Sequence, residues 1–203
     1  MNTSHPQSVP GQKGDLPRSG DASFDAAVRY TFRNEGIWSD DPDDPGGATM
    51  YGISLRLARS LGDLDGDGKL DLDLDHDGDV DEADMRLLTP QIAVETYKKI
   101  FWDPYNYNRL PLALAIKAFD FGVNMGSKQS HKILQQSVRA ASSLRLIEDG
   151  ILGKRSLEAI RACDDKALLA SYRAHAAGFY QMLAFKRPRS RKYLNGWLNR
   201  AYS

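Results

Sequence analysis

LALAIKAFDFGV, residues 112–123, decides the fold. The run is strongly apolar and is long enough for three helical turns, so it reads as a buried helix that other elements must surround. Asn124 and Gly126 supply its stop. Downstream, helical patterning recurs over 127–141, 156–162 and 164–185, with a last helix over roughly 190–202. Upstream, Thr89 is a good N-cap and Pro90 a good first helical residue for a helix running to about Phe101. Residues 22–35 form another helix, with Phe24, Ala27, Val28 and Phe32 on one face. Residues 55–61 supply one or two turns. Only SDDPDDPGGATMYGIS, residues 39–54, breaks the pattern. Its Pro, Gly and Asp are loop and turn chemistry, with a short hairpin expected near 49–53. The expected class is mainly α, with a small irregular or β-containing lobe.

The 203 residues suit one domain with a small appendage. No apolar run approaches a membrane span. Residues 1–21 are polar, with Pro6, Pro10 and Pro17, and read as a disordered arm without the apolar segment of a signal peptide; residues 22–203 form the domain. The single cysteine, Cys163, excludes an internal disulfide framework and fits a reducing compartment.

A net charge of zero hides a sharp division. Between Asp63 and Asp84 stand ten Asp and one Glu against one Lys, a net of −10, so the remainder carries +10. Packed carboxylates repel one another unless something neutralises them. DLDHDGDVDEAD, from Asp73, fits a twelve-residue calcium loop of EF-hand type. Asp73, Asp75 and Asp77 take positions 1, 3 and 5, and Gly78 position 6. Asp79 offers a backbone carbonyl, Val80 is the apolar position 8, Asp81 is position 9 and Asp84 closes the loop. Asp in place of Glu at position 12 resembles the calcium loops of dockerins. DLDGDGKLDLDL, from Asp63, fits with Asp63, Asp65, Asp67, Gly68, Lys69 (through its carbonyl), Leu70 and Asp71, but its twelfth residue is Leu74. One good calcium site and a second, weaker or shared one are expected.

Glycoside hydrolysis needs a carboxylic acid to protonate the leaving oxygen and a second group to handle water or the cationic intermediate. The acid must keep its proton near neutral pH, which calls for a partly apolar setting. Glu35 ends an apolar-faced helix before Gly36, Ile37 and Trp38, and a polar loop then supplies Asp40, Asp41, Asp43 and Asp44. Thr49, a hydroxyl able to orient water, lies just before Tyr51 and Gly52.

NEGIWSDDPDDPGGATMYGIS, residues 34–54, resembles the signature of glycoside hydrolase family 108, peptidoglycan muramidases of phages and bacteria. Ile37 and Met50 stand where Gly and Asn are common in that family. The resemblance continues in order through FWDPYNYNRLPLALAIKAFDFGVNMG, LQQ at 134–136, EDGILGKRSLEAI and NGWLNR, over roughly residues 24–202, with the acidic block as an insertion at 63–84. It implies a lysozyme-like helical fold and an endolysin that hydrolyses the β-1,4 bond between N-acetylmuramic acid and N-acetylglucosamine. Glu35 would be the general acid, with Asp44 and Thr49 assisting; Asp40, Asp41 and Asp43 remain alternatives to Asp44. Tyr51 and Asn124 are candidate substrate contacts. Residues 113–203 are the part described in the family as peptidoglycan-binding, and are expected here to complete one α-fold, with Asp149 and Gly153 serving a turn and a helix start. Trp102 and Trp197 read as core.

Two rivals stand beside the muramidase: a lytic transglycosylase, and a non-catalytic, calcium-dependent peptidoglycan-binding module. The expected partner is bacterial peptidoglycan, met by a monomer that does not bind nucleic acid. The resemblance implies storage in a host cytoplasm until a holin opens the membrane. Residues 186–200 carry Lys186, Arg187, Arg189, Arg191, Lys192 and Arg200 without an acid. They are expected to form a solvated cationic face able to meet an anionic envelope.

Overall fold

A computed structural model describes residues 16–34, 38–39, 47–142 and 144–203. It is mainly helical, as expected, and divides into two compact units: residues 1–17 with 35–94, and residues 18–34 with 95–203.

The second unit is built around α5 (Leu112–Met125), the helix that holds the apolar run. α5 packs against α1 (Ala22–Asn34), α6 (Ser127–Ala141) and α8 (Asp165–Lys186), and α9 (Leu194–Tyr202) returns to α8. Gly126, with φ 89°, ends α5, and α6 starts at the next residue. α7 (Lys154–Arg161) starts after Gly153, and Asp164 caps α8 by accepting from the N–H of Ala167 at 2.8 Å. α4 (Pro90–Tyr97) starts after Thr89, whose hydroxyl accepts from the Ile92 N–H at 3.2 Å. The helix continues past Tyr97 as a π-helical turn, Lys98–Trp102.

Tilted and edge-to-face ring pairs fill this core. Phe24 lies 5.4 Å from Trp102 and 5.7 Å from Phe119, and Phe119 is 5.9 Å from Tyr97. Each fully buried side chain of this kind contributes roughly 1.5–3 kcal/mol through burial. Asp21, the last residue of the polar arm, has two jobs here. Its Oδ1 accepts from the N–H groups of Ser23 and Phe24 and caps α1, while its Oδ2 accepts from the Trp102 indole at 2.9 Å. Residues 1–15 of the arm lie outside the described residues.

The first unit holds a small antiparallel sheet in the order β1 (Trp38–Ser39), β2 (Thr49–Met50), β3 (Ile53–Ser54). Thr49 pairs with both Ser39 and Ser54. Tyr51 and Gly52 join β2 to β3 with φ of 50° and 77°, the pair of positive values a type I′ hairpin requires. Ser54 then caps α2 (Leu55–Leu61), and the acidic block leads to α3 (Glu82–Leu87), which packs against β2. Among the described residues, no helix is long and apolar enough to cross a membrane.

Candidate functional site

Glu35 and Asp44, with Asp40, Asp41 and Asp43, lie outside the described residues. Their flanks are described. α1 ends at Asn34, the residue before Glu35. Thr49 is half-buried in the middle strand, where its hydroxyl donates to the Gly47 carbonyl at 3.3 Å. Tyr51 follows at the hairpin tip in the left-handed region. For a residue other than Gly that conformation costs about 1–2 kcal/mol, and the surrounding pairing must over-determine it.

The acidic block forms two loops of matching backbone. In each, the first Asp receives the N–H groups of positions 5 and 6. Asp63 accepts from Asp67 at 3.2 Å and Gly68 at 2.8 Å, and Asp73 from Asp77 at 3.1 Å and Gly78 at 3.0 Å. Position 4 is left-handed in both, at Gly66 and His76, and so is position 6, at Gly68 and Gly78. α2 leads into the first loop and α3 leaves the second. Asp81 caps α3, and its own N–H is received by Asp84 at 2.7 Å. The loops differ in how they close. In the second, Asp84 is buried and accepts the N–H of Leu74 at 2.6 Å and of Asp75 at 3.2 Å. In the first, with Leu74 at position 12, Asp71 takes that part and receives the Leu64 N–H.

The loop electrostatics divide accordingly. Burial alone would raise the Asp84 pKa, but the N–H groups of Asp81, Leu74 and Asp75 prevail and hold its carboxyl below the usual range. The Gly68 N–H, with help from Gly66, lowers Asp63. Desolvation, together with the charges of neighbouring acids, raises Asp75 and Asp79. One carboxylate oxygen from each of Asp73, Asp75 and Asp84 lies within 4.8 Å of the others. The same holds for Asp79, Asp81 and Asp84, and for Asp63, Asp65 and Asp67. All-oxygen donor sets of this kind fit a hard divalent cation such as calcium. Asp77 and the carbonyl-bearing Lys69 sit on the same loops, where Asp77 receives the Asp79 N–H at 3.1 Å and the Lys69 N–H goes to Asp67 at 2.9 Å.

Asn124 lies in the last turn of α5, exposed, with its Oδ1 accepting the Tyr180 hydroxyl at 2.8 Å. Trp102 is core, only 2% exposed. Trp197 is half-buried and stacks on Tyr180 with centroids 5.3 Å apart. Asp149 and Gly153 serve a turn and a helix start: Asp149 accepts from the Ile151 N–H and from Gln135, both at 2.8 Å. Cys163 lies just beyond α7, half-buried.

Two buried polar clusters were missed in the sequence reading. Asp120, on α5, accepts from Arg200 at 2.7 Å and from the Thr31 hydroxyl at 3.3 Å, and lies 4.0 Å from the Lys117 ammonium. Lys117 donates to the Tyr30 hydroxyl and to the Arg200 carbonyl, each at 2.6 Å. Burial depresses the Lys117 pKa to about 8, against the pull of Asp120. Arg200 is therefore no part of a cationic surface. The signal was present: Lys117 and Asp120 are charges three residues apart inside an apolar helix. In the second cluster His131, on α6, lies 2.6 Å from the Tyr107 hydroxyl through Nε2 and 3.0 Å from the Gly150 carbonyl through Nδ1. A carbonyl only accepts, so Nδ1 carries the proton and Tyr107 donates to Nε2. Burial lowers the His131 pKa to about 4, so the ring is neutral at neutral pH.

Similarity to known proteins divides near the end of α5. No curated protein matches the chain. Among solved structures it is similar to SagA of Brucella abortus, with a TM-score of 0.66 and 24% identity over 88% of this chain and 93% of that one, a likeness of fold. Residues 28–126 match the family model described as glycosyl hydrolase 108, and residues 129–202 match the one described as a predicted peptidoglycan domain.

Proposed function

We propose that the protein is a peptidoglycan hydrolase that cleaves the β-1,4 bond between N-acetylmuramic acid and N-acetylglucosamine. One observation carries this reading: the glycosyl hydrolase 108 match spans residues 28–126 and takes in Glu35 and the Asp-rich run after it, and the peptidoglycan match follows at once. Glu35 is the general acid. It is the next residue in sequence after α1. Asp44 and Thr49 position water or steady the positive charge that develops on the sugar, and Tyr51 and Asn124 contact the substrate.

Calcium stabilises this enzyme and stays outside the chemistry. Asp73, Asp75, Asp77, Asp81 and Asp84 hold it, with the Asp79 carbonyl. Asp63, Asp65, Asp67 and Asp71, with the Lys69 carbonyl, form the weaker loop. The cation supplies the positive charge that lets these carboxylates pack. The exposed Lys186, Arg187, Arg189, Arg191 and Lys192, next to a 78% exposed Phe185, assist contact with an anionic envelope.

Glu35→Gln keeps the side chain's shape and removes the transferable proton. General acid catalysis contributes about 100- to 10,000-fold, so wall lysis falls by that factor while the melting temperature holds. A folded Glu35→Gln protein with near-normal turnover removes Glu35 from the role.

A further inference from the structure

A second concave site lies in the unit formed by residues 18–34 and 95–203. A cavity of about 460 Å³ is lined by Phe101, Tyr105, Met125, Lys128, Gln129 and Lys132, among others, a volume typical of small-ligand sites. It falls where the two family matches meet, and nothing in the proposed hydrolysis uses it.

Its two sides differ in chemistry. One is apolar, from the Phe101 and Tyr105 rings and the Met125 thioether. Tyr105 is braced from behind: its ring meets His131 edge-on at 4.7 Å and lies 5.6 Å from Tyr107. His131 is fixed by its bonds to Tyr107 and Gly150. Gly150 has to be glycine, because a Cβ there would stand 2.7 Å from the Lys128 carbonyl. The other side is cationic. Lys128 and Lys132 are four residues apart on α6, hence on one face, where like charges are mutually destabilising by a few tenths of a kcal/mol. Neither forms an ion pair with a described residue. The acid whose charge Lys132 feels, Asp149, is already engaged by Gln135 and Ile151. Among the described residues no carboxylate lines the cavity.

Two free ammonium groups beside a rigid apolar wall suit a ligand that carries carboxylates and short aliphatic groups together. An N-acetylglucosaminyl residue carries no carboxylate, and the single lactyl carboxyl of the muramyl residue is tied up as an amide once the peptide is attached. In peptidoglycan those groups belong to the peptide carried on the lactyl ether of the muramyl residue. We propose that this cavity binds that peptide, with Lys128 and Lys132 meeting its carboxylates and Phe101, Tyr105 and Met125 its methyl-bearing residues. The inference rests on peptidoglycan being the substrate.

The test is calorimetric titration with two probes: the N-acetylglucosaminyl–N-acetylmuramyl disaccharide bearing its tetrapeptide, and the same disaccharide with its lactyl carboxyl capped as the simple amide. Neither contains the bond the proposed reaction breaks, so binding is read independently of hydrolysis. Wild type binds the peptide-bearing probe about tenfold more tightly, as two solvent-facing charge pairs allow. In Lys128→Gln/Lys132→Gln that advantage disappears. A control that removes the same charge elsewhere, Lys154→Gln/Lys166→Gln, keeps it. Equal affinity of wild type for the two probes, or an advantage that survives Lys128→Gln/Lys132→Gln, overturns the inference. A peptide preference in a protein that cleaves no glycan would leave this pocket standing and defeat the hydrolase reading instead.

Discussion

The two units of the molecule are held together by different physics. In the unit of residues 18–34 and 95–203, buried rings meet edge to face, and the buried charges find partners within the chain: Asp120 has Arg200, and Lys117 has Tyr30 and the Arg200 carbonyl. In the unit that contains residues 35–94, the 63–84 stretch carries a net −10 and turns its carboxylates onto its own backbone N–H groups. Those bonds organise the loops but do not remove the charge. The first unit named meets most of its buried charge from within, and the second keeps a charge that the proposed cation would neutralise.

The largest effect that would sharpen this contrast comes from Asp120. It is fully buried between cations, and removing it takes the paired carboxylate from Arg200 and Lys117. Asp120→Ala should cost about 3–5 kcal/mol, with or without calcium. A denaturant titration showing a loss below 1 kcal/mol would mean that the cluster does not anchor α1, α5 and α9.

Acid should strike the same unit through His131. The fold disfavours the imidazolium, so the unfolded chain binds the proton first. Stability from this group is full above about pH 6.5, falls as the pH drops toward about 4, and changes no further below that. The whole window is worth up to about 3 kcal/mol. His131→Gln should be less stable at pH 7 but lose less on acidification. Parallel melting-temperature profiles for the two proteins would refute the assignment.

Calcium should act on the other unit. A ligand that binds only the folded state, at about 100 times its dissociation constant, adds roughly 2.7 kcal/mol. Chelation should therefore lower hydrogen-exchange protection in α2 and α3 and leave α5 and α6 unchanged. Asp84→Ala should mimic chelation. Identical exchange with excess calcium and excess chelator would show that the block is a solvated linker. The smallest effect is expected from Asp71→Ala. Asp71 closes the loop that lacks a twelfth carboxylate, so the change should weaken the calcium response by under about 1 kcal/mol. A loss as large as that of Asp84→Ala would make the two loops equal.

What the sequence disclosed follows from range. The apolar run at 112–123, the Thr89–Pro90 start and the short stretch at 55–61 are local signals, and α5, α4 and α2 appear where those signals lie. α3 escaped because its cap and first turn coincide with loop positions: Asp81 is both position 9 and the helix cap, and Asp84 both closes the loop and completes the capping box. The π-helical turn at Lys98–Trp102 changes hydrogen-bond register without changing composition, so no pattern announces it. The His131 cluster joins residues 107, 131 and 150, whose proximity only the packing of α5 and α6 creates. The loop positions were legible because their Asp and Gly recur at fixed spacing. The left-handed His76, matching Gly66 in the other loop, was not.

The central claim is the reaction itself. Purified peptidoglycan should be digested with the calcium-loaded protein and the released ends identified by mass spectrometry. The account predicts hydrated, reducing N-acetylmuramic acid ends, at least about 100-fold fewer with Glu35→Gln. Anhydro-muramyl ends would make the protein a lytic transglycosylase, and an undigested wall that still retains the protein would make it a binding module; either result contradicts the account.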